Sequence, residues 1–161
     1  LVFDPYVNQD TFAAHGVTAV GLDELLTRSD FVSLHCPLTD ETHNLVGERE
    51  LKLMKPTSIL VNTSRGDVVD ELALERALSD GWIAGAGLDV FVTEETAIGN
   101  PFLNLDNVVA TPHIGGFSDD GMETFWRESM QVALDLSNGQ WPRSYVNPGV
   151  QPKFDHMIIS R

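Results

Sequence analysis

The chain of 161 residues, 42% hydrophobic and 21% charged, has the balance of an ordinary globular domain and enough length to bury a real core. Its formal net charge of -14, with only 10 Lys and Arg scattered along it, repels phosphate backbones and excludes nucleic acid as an expected partner. No apolar run reaches bilayer-spanning length, and LVFDPYV at the start lacks the basic and apolar regions of a signal peptide, so no membrane partner and a cytoplasmic location are expected. The single cysteine, Cys36, cannot close an internal disulfide, and the five histidines form no Cys/His cluster with metal-ligand spacing, so no metal is expected.

Short apolar runs alternate with helix-like stretches, the pattern of a parallel sheet covered by helices. In chain order, strands are expected at 1–3, 17–20, 31–34, 58–62, 83–90 and 107–110. Most read as continuous apolar runs, as doubly covered strands do. Helical spacing is found at 23–28, 47–54, 70–80 and 118–137. Asp70-Glu71 and Gly81 supply a start and a stop for the third helix, and Ser118-Asp119-Asp120 supplies N-capping types for the last. Within that last helix Met122, Phe125, Trp126 and Met130 read as a core-facing stripe, not as a cofactor box. Pro142, Pro148 and Pro152 after Gly139 mark an extended exit segment. The chain opens inside the apolar run Leu1-Val2-Phe3 without a cap or an initiator Met, which reads as part of a longer chain.

Ligands of open α/β sheets bind outside the carboxyl ends of the strands, so the polar residues that follow each run are the candidates for chemistry. These are Asp4; His35, Cys36 and Pro37; Thr63, Ser64, Arg65 and Gly66; Asp89 and Glu94; and Thr111, Pro112 and His113. Asp4 stands where a dinucleotide-binding fold places its ribose-binding acid, roughly 20 residues after a Gly-rich turn, or is simply a turn acid before Pro5. Counting back that far leaves the sequence. Gly85-Ala86-Gly87, the one G-x-G, lies inside a strand pattern, and both glycines read as close-packing positions. Arg65 offers a planar fork suited to a substrate carboxylate, or is a solvated loop arginine. His113, followed by Ile114-Gly115-Gly116, has small neighbours that admit a ligand, or is a satisfied loop histidine. Glu94 is one of many acids unless it meets His113, where a carboxylate would fix the imidazole tautomer and tune it for acid/base work.

The order of segments carries more than any one residue. V-F-D-P-Y at 2–6, V-S-L-H-C-P-L-T at 32–39, M-K-P-T-S-I-L-V-N-T-S-R-G at 54–66, G-L-D-V-F at 87–91 with Glu94, T-P-H-I-G-G at 111–116 and V-N-P at 146–148 resemble the consecutive motifs of the D-isomer-specific 2-hydroxyacid dehydrogenases. That family includes the phosphoglycerate, glycerate/hydroxypyruvate and D-lactate enzymes. The resemblance implies a Rossmann-type, doubly wound parallel sheet, incomplete at its N-terminal side: a partial NAD-binding domain over 1–148 and an exit segment toward a substrate domain over 149–161. It implies NAD as cofactor and a 2-hydroxyacid or 2-ketoacid as substrate. His113 would be the acid/base, Glu94 its tuning carboxylate and Arg65 the binder of the substrate carboxylate. Asp4 would hold the adenine ribose and favour NAD over NADP, while His35, Cys36, Pro37, Thr63, Ser64, Asp89, His113 and Gly115 would line the cofactor. Glutamate at 94 is similar to the hydroxyacid branch, since related formate dehydrogenases carry glutamine there. Family members are commonly homodimers.

The chain departs from the family pattern by lacking the first strand with its glycine fingerprint and nearly all of the substrate domain. The 161 residues alone are therefore expected to bind NAD poorly and to be inactive. Two other readings stay open: an NAD-sensing protein like the corepressor branch of the family, which retains the same Arg, Glu and His, and a truncated, inactive product.

Overall fold

The computed structural model describes residues 1–93, 99–143, 147 and 149. The chain divides into two compact units, Leu1–Gly115 and Gly116–Arg161. The first is built on a four-stranded, all-parallel sheet of β1 (Phe31–Leu34), β2 (Ile59–Asn62), β3 (Gly85–Leu88) and β4 (Val108–Ala110), in that spatial order. Around it run α1 (Gln9–Ala14), α2 (Leu22–Arg28), α3 (Glu48–Leu53) and α4 (Glu71–Ser79), with short 3-10 helices at Gly66–Val68 and Pro101–Asn104. Parallel neighbours need a crossover, and α3 and α4 supply those between β1 and β2 and between β2 and β3. The result is the Rossmann-like arrangement of a parallel sheet with flanking helices.

The core explains why these segments order. Val32, Leu34, Leu60, Ala86 and Leu88 from the strands meet Leu26, Leu51, Ala73, Leu74, Ala77 and Leu78 from the helices, with Val46, Val68, Val69, Ile83 and Phe102 filling between them. In α4 the buried positions 73, 74, 77 and 78 recur at helical spacing, and Asp70 caps its start by accepting the Ala73 N–H at 3.0 Å. Gly47 starts α3, and its N–H donates to the Glu50 carboxylate at 3.1 Å. The expected helices thus appear within one or two residues, their outermost residues serving as caps.

The strands depart from expectation in three ways. Leu1–Phe3 and Val17–Val20 are not sheet strands: Val2 and Ala19 form one isolated parallel bridge, held by Val2 N–H to Thr18 O and Val20 N–H to Val2 O, both at 2.9 Å. A lone pair of extended segments lacks the further neighbours on which a ladder grows. The outer strands are not doubly covered, since Phe31 is 70% and Val109 71% exposed, while β3 is buried on both faces. Of the two strand glycines only Gly85 is a close approach: a Cβ there would stand 2.7 Å from Asn107 O, whereas at Gly87 it would meet Val61 side-chain atoms at ordinary distance. Helix α1 was not expected. It is capped by Asn8, which accepts the Thr11 N–H at 2.8 Å, and buries only Phe12.

In the second unit the described regular element is α5 (Asp119–Ser137), capped by Ser118. Its length and start match the sequence, but its stripe does not face a core: Phe125, Trp126 and Met130 are exposed and no residue of the helix is buried. Among the described residues of this unit, α5 is the only helix and no strand accompanies it.

Candidate functional site

The sheet register sets the site. Leu34, Asn62, Leu88 and Ala110 are Cα partners in successive strand pairs, so the next residues, His35, Thr63, Asp89 and Thr111, leave four neighbouring carboxyl ends at one level. At about 4.8 Å per strand this rim is roughly 14 Å long. It is the position at which open α/β sheets take ligands.

At one end of the rim, His35, Cys36, Pro37, Leu38, Thr63, Ser64 and Arg65 line an open cavity of about 500 Å³, within the usual size of ligand pockets. Ser33 Oγ and His35 Nε2 are 2.8 Å apart. Burial pushes the Cys36 thiol above its ordinary pKa against a smaller opposing backbone hydrogen bond, which keeps it protonated and unreactive near neutrality. The turn that carries Arg65 is shaped by Asn62, the last residue of β2. Asn62 is 1% exposed; its Oδ1 accepts from Ser64 N–H and Ser64 Oγ at 3.0 and 2.9 Å, and its Nδ2 donates to Arg65 O at 2.9 Å. Arg65 is exposed and uses Nη1 on Ser64 O at 2.6 Å. Gly66 follows where no side chain fits, because a Cβ would lie 2.1 Å from the carbonyl carbon of Phe91. An asparagine closing an apolar run, followed four residues later by glycine, is the signal that could have pointed to both.

At the other end, Asp89 is 5% exposed and organises the loop after β4. Its Oδ1 accepts from Thr111 Oγ1 at 2.5 Å and from Ile114 N–H at 2.9 Å, and its Oδ2 accepts from Gly115 N–H at 2.8 Å. Burial raises the Asp89 pKa, but the hydrogen bonds from Thr111, Gly115 and Ile114, with the nearby His113, outweigh it and hold the carboxyl below its ordinary value. Within this loop His113 adopts a left-handed backbone, φ 55°, and its N–H donates to Thr111 O at 3.1 Å. His113 is exposed.

Asp4 is exposed after the Val2 bridge, its Oδ1 accepting Tyr6 N–H at 2.9 Å; the Tyr6 hydroxyl donates to Glu41. Of the expected site, then, His35, Cys36, Pro37, Thr63, Ser64 and Arg65 gather on one cavity and Asp89, Thr111, His113 and Gly115 form one hydrogen-bonded cluster. Glu94 lies outside the described residues, as do 144–146, Pro148 and all of the exit segment except Gly149. Among the described residues no group of three His, Cys, Asp or Glu could hold a metal, and no helix is long and apolar enough to cross a membrane. The chemistry of this donor set suits a nucleotide: an exposed acid just past the Val2 bridge, an open cavity lined by Thr63, Ser64 and Arg65 among others, and a rim of roughly 14 Å.

Residues 1–115 match the family model described as D-isomer specific 2-hydroxyacid dehydrogenase, NAD binding domain. A glyoxylate reductase from Korarchaeum cryptofilum is 48% identical over 153 residues, covering 93% of this chain and 45% of that protein. A glyoxylate/hydroxypyruvate reductase B from Pectobacterium carotovorum is 46% identical over 129 residues, covering 80% and 40%. Among solved structures, the NAD-complexed D-isomer specific 2-hydroxyacid dehydrogenase of Lactobacillus delbrueckii ssp. bulgaricus superposes with a TM-score of 0.79 at 34% identity, covering 90% of this chain and 47% of the other. D-lactate dehydrogenase from Aquifex aeolicus, complexed with NAD and lactic acid, gives 0.75 at 38% identity, covering 85% and 45%. The chain spans less than half the length of these relatives.

Proposed function

Because the chain belongs to the D-isomer specific 2-hydroxyacid dehydrogenases, through their NAD binding domain, we propose that the protein interconverts a small 2-ketoacid and its D-2-hydroxyacid with NAD as cofactor. Glyoxylate and hydroxypyruvate head the substrates to test, from the names of the relatives. The observation that carries the reading is the level rim, with Arg65 on the cavity wall at one side and the Asp89-held loop of His113 at the other.

When bound, NAD supplies or accepts a hydride at its nicotinamide. The chain's own residues do the rest. Arg65 binds the ketoacid carboxylate through N–H groups of its planar fork and so orients the C2 carbonyl. As C2 gains hydride, the His113 imidazolium donates its proton to the carbonyl oxygen; in the reverse direction the imidazole takes the hydroxyl proton. Glu94 orients and tunes His113. Asp4 holds the ribose hydroxyls and repels the extra phosphate of NADP, and His35, Cys36, Pro37, Thr63, Ser64 and Gly115 line the cofactor. The resemblance to the family also carries a cytoplasmic location and a homodimer.

The test is NADH oxidation by the full-length protein with glyoxylate, hydroxypyruvate, pyruvate and phosphohydroxypyruvate, beside a His113→Ala variant. Turnover with at least one ketoacid, reduced by several orders of magnitude in the variant while NADH still binds, is the expected result. Tight NADH binding without turnover on any of them would overturn the enzyme reading in favour of a sensor.

A further inference from the structure

Resting on the proposed cofactor and going beyond it, we infer that Thr42 is a positioning residue for NADH binding: its hydroxyl folds the segment after β1 into a bracket joined to three parts of the site. Residues 35–46 belong to no helix or sheet strand, so their backbone groups must find partners outside regular structure. Thr42 serves two of them. Its Oγ1 donates to Pro37 O at 2.6 Å and accepts the Thr39 N–H at 2.8 Å, while His43 N–H donates to Thr39 O at 2.9 Å. Side-chain hydroxyls shape turns in this way. Pro37 has no N–H, so its carbonyl is its only main-chain hydrogen-bonding group, and Thr42 is what holds it. Thr42 does not line the cavity, whereas Pro37 and Leu38 do. It acts through them.

The bracket is tied outward on both sides. Glu41 accepts the Tyr6 hydroxyl, and the Tyr6 N–H donates to Asp4 Oδ1 at 2.9 Å. On the other side Asn44 N–H donates to Asp67 O at 2.8 Å, Val46 N–H to Val68 O at 3.1 Å and Asp70 N–H to Val46 O at 3.0 Å. Val46 and Val69 form a parallel bridge there, both buried. Between these ties Asn44 turns the chain in the left-handed region at φ 53°, which asparagine tolerates better than most side chains. Asp67 lies two residues past Arg65. The turn of Asp4, the cavity wall at Pro37 and the turn of Arg65 are therefore all attached to one segment. Its Val46 end is fixed by the core, and its Pro37 end is closed by a hydroxyl. Pro37 and Thr39 are exposed, so water can satisfy their backbone groups when that hydroxyl is lost. The loss then falls on ordering the wall as the cofactor binds, more than on folding.

The experiment compares the full-length wild type with Thr42→Val, Thr42→Ser and Tyr6→Phe, measuring the Kd for NADH by fluorescence, Tm, and kcat and KM for ketoacid reduction. Thr42→Val keeps the β-branched shape without the hydroxyl. It is expected to raise the NADH Kd about tenfold, with kcat at saturating NADH within about threefold of wild type and Tm little changed. Thr42→Ser keeps the hydroxyl and restores the Kd. Tyr6→Phe releases Glu41, raises the Kd about threefold, and decides the matter if Thr42→Val does not fold. An NADH Kd equal to wild type in folded Thr42→Val, or a Thr42→Ser protein that binds as weakly as Thr42→Val, would overturn the inference. So would a loss confined to kcat. A wild type that binds NADH but reduces no ketoacid sinks the enzyme reading alone, and the Kd values still decide the role of Thr42. A wild type that binds no NADH sinks both.

Discussion

Gly66→Ala puts the rim under the sharpest test. The added Cβ would lie 2.1, 2.3 and 2.4 Å from Phe91 C, Val92 N and Phe91 O. These are backbone atoms with no rotamer to change, so the segment after β2 and the segment after β3 must part by about 1.5 Å to reach ordinary contact near ~3.5 Å. Gly66 is buried and opens the 3-10 turn after Arg65, and Val92 N–H is tied to the Glu71 carboxylate at the start of α4 at 2.8 Å, so neither side yields freely. Overpacking of this kind costs about 3 kcal/mol, which for a domain of this size lowers Tm by roughly 10 °C. The displaced element carries Arg65, and a shift of about 1 Å in a positioning group costs on the order of 100-fold in kcat/KM. Differential scanning calorimetry and ketoacid kinetics on the full-length protein read both effects. A variant with wild-type Tm and wild-type kcat/KM would show that the two segments do not in fact touch as closely as described, and the reasoning would fall.

Asn62→Ala removes a side chain that meets three partners. At about 1 kcal/mol each it should cost about 3 kcal/mol of stability and raise KM for the ketoacid more than KM for NADH; an unchanged ketoacid KM would detach Asn62 from the Arg65 turn. The Asp89 anchor makes stability depend on pH in a definite direction. Its folded-state pKa is depressed, so its contribution is present above the unfolded carboxylate value of about 3.9 and lost as pH falls through the lower folded value. Denaturant titrations should therefore find Asp89→Asn less stable than wild type at pH 7, the gap narrowing as pH falls below about 4; a gap that does not vary with pH would contradict this.

What could be read from the sequence is what burial imposes on a run of residues. ILVN and the buried Leu74 and Leu78 of α4 show their strand and helix character because a covered sheet demands continuous apolar stretches and a packed helix demands spacing near four. Asp70 and Ser118 mark helix starts because a side-chain oxygen at that position satisfies orphan N–H groups. What escaped depends on partners distant in sequence. Leu1–Phe3 reads as a strand, yet whether it joins a sheet depends on neighbours and not on its own residues. The stripe on α5 has the period of a buried face, yet no residue of the helix is buried. The roles of Asn62 and Gly66 show only once Arg65, Phe91 and Val92 are brought around them. Asp89 reads as a candidate from its place after a strand, but its ties to Ile114 and Gly115 span 25 and 26 positions and leave no local signature.

The level rim has a consequence for how such a site can be altered. His35 and Thr63 are exposed and each is the first residue past a strand whose alignment is kept by its neighbours' main chain, so their side chains can be exchanged while the scaffold stays intact, like tools on a fixed rack. Asp89 is of another kind, since the same carboxylate is both at the rim and part of what holds the rim's last loop in shape. Redesign of specificity in this fold should therefore proceed from the β1 side, where chemistry and architecture are separable, and leave the β3 side alone.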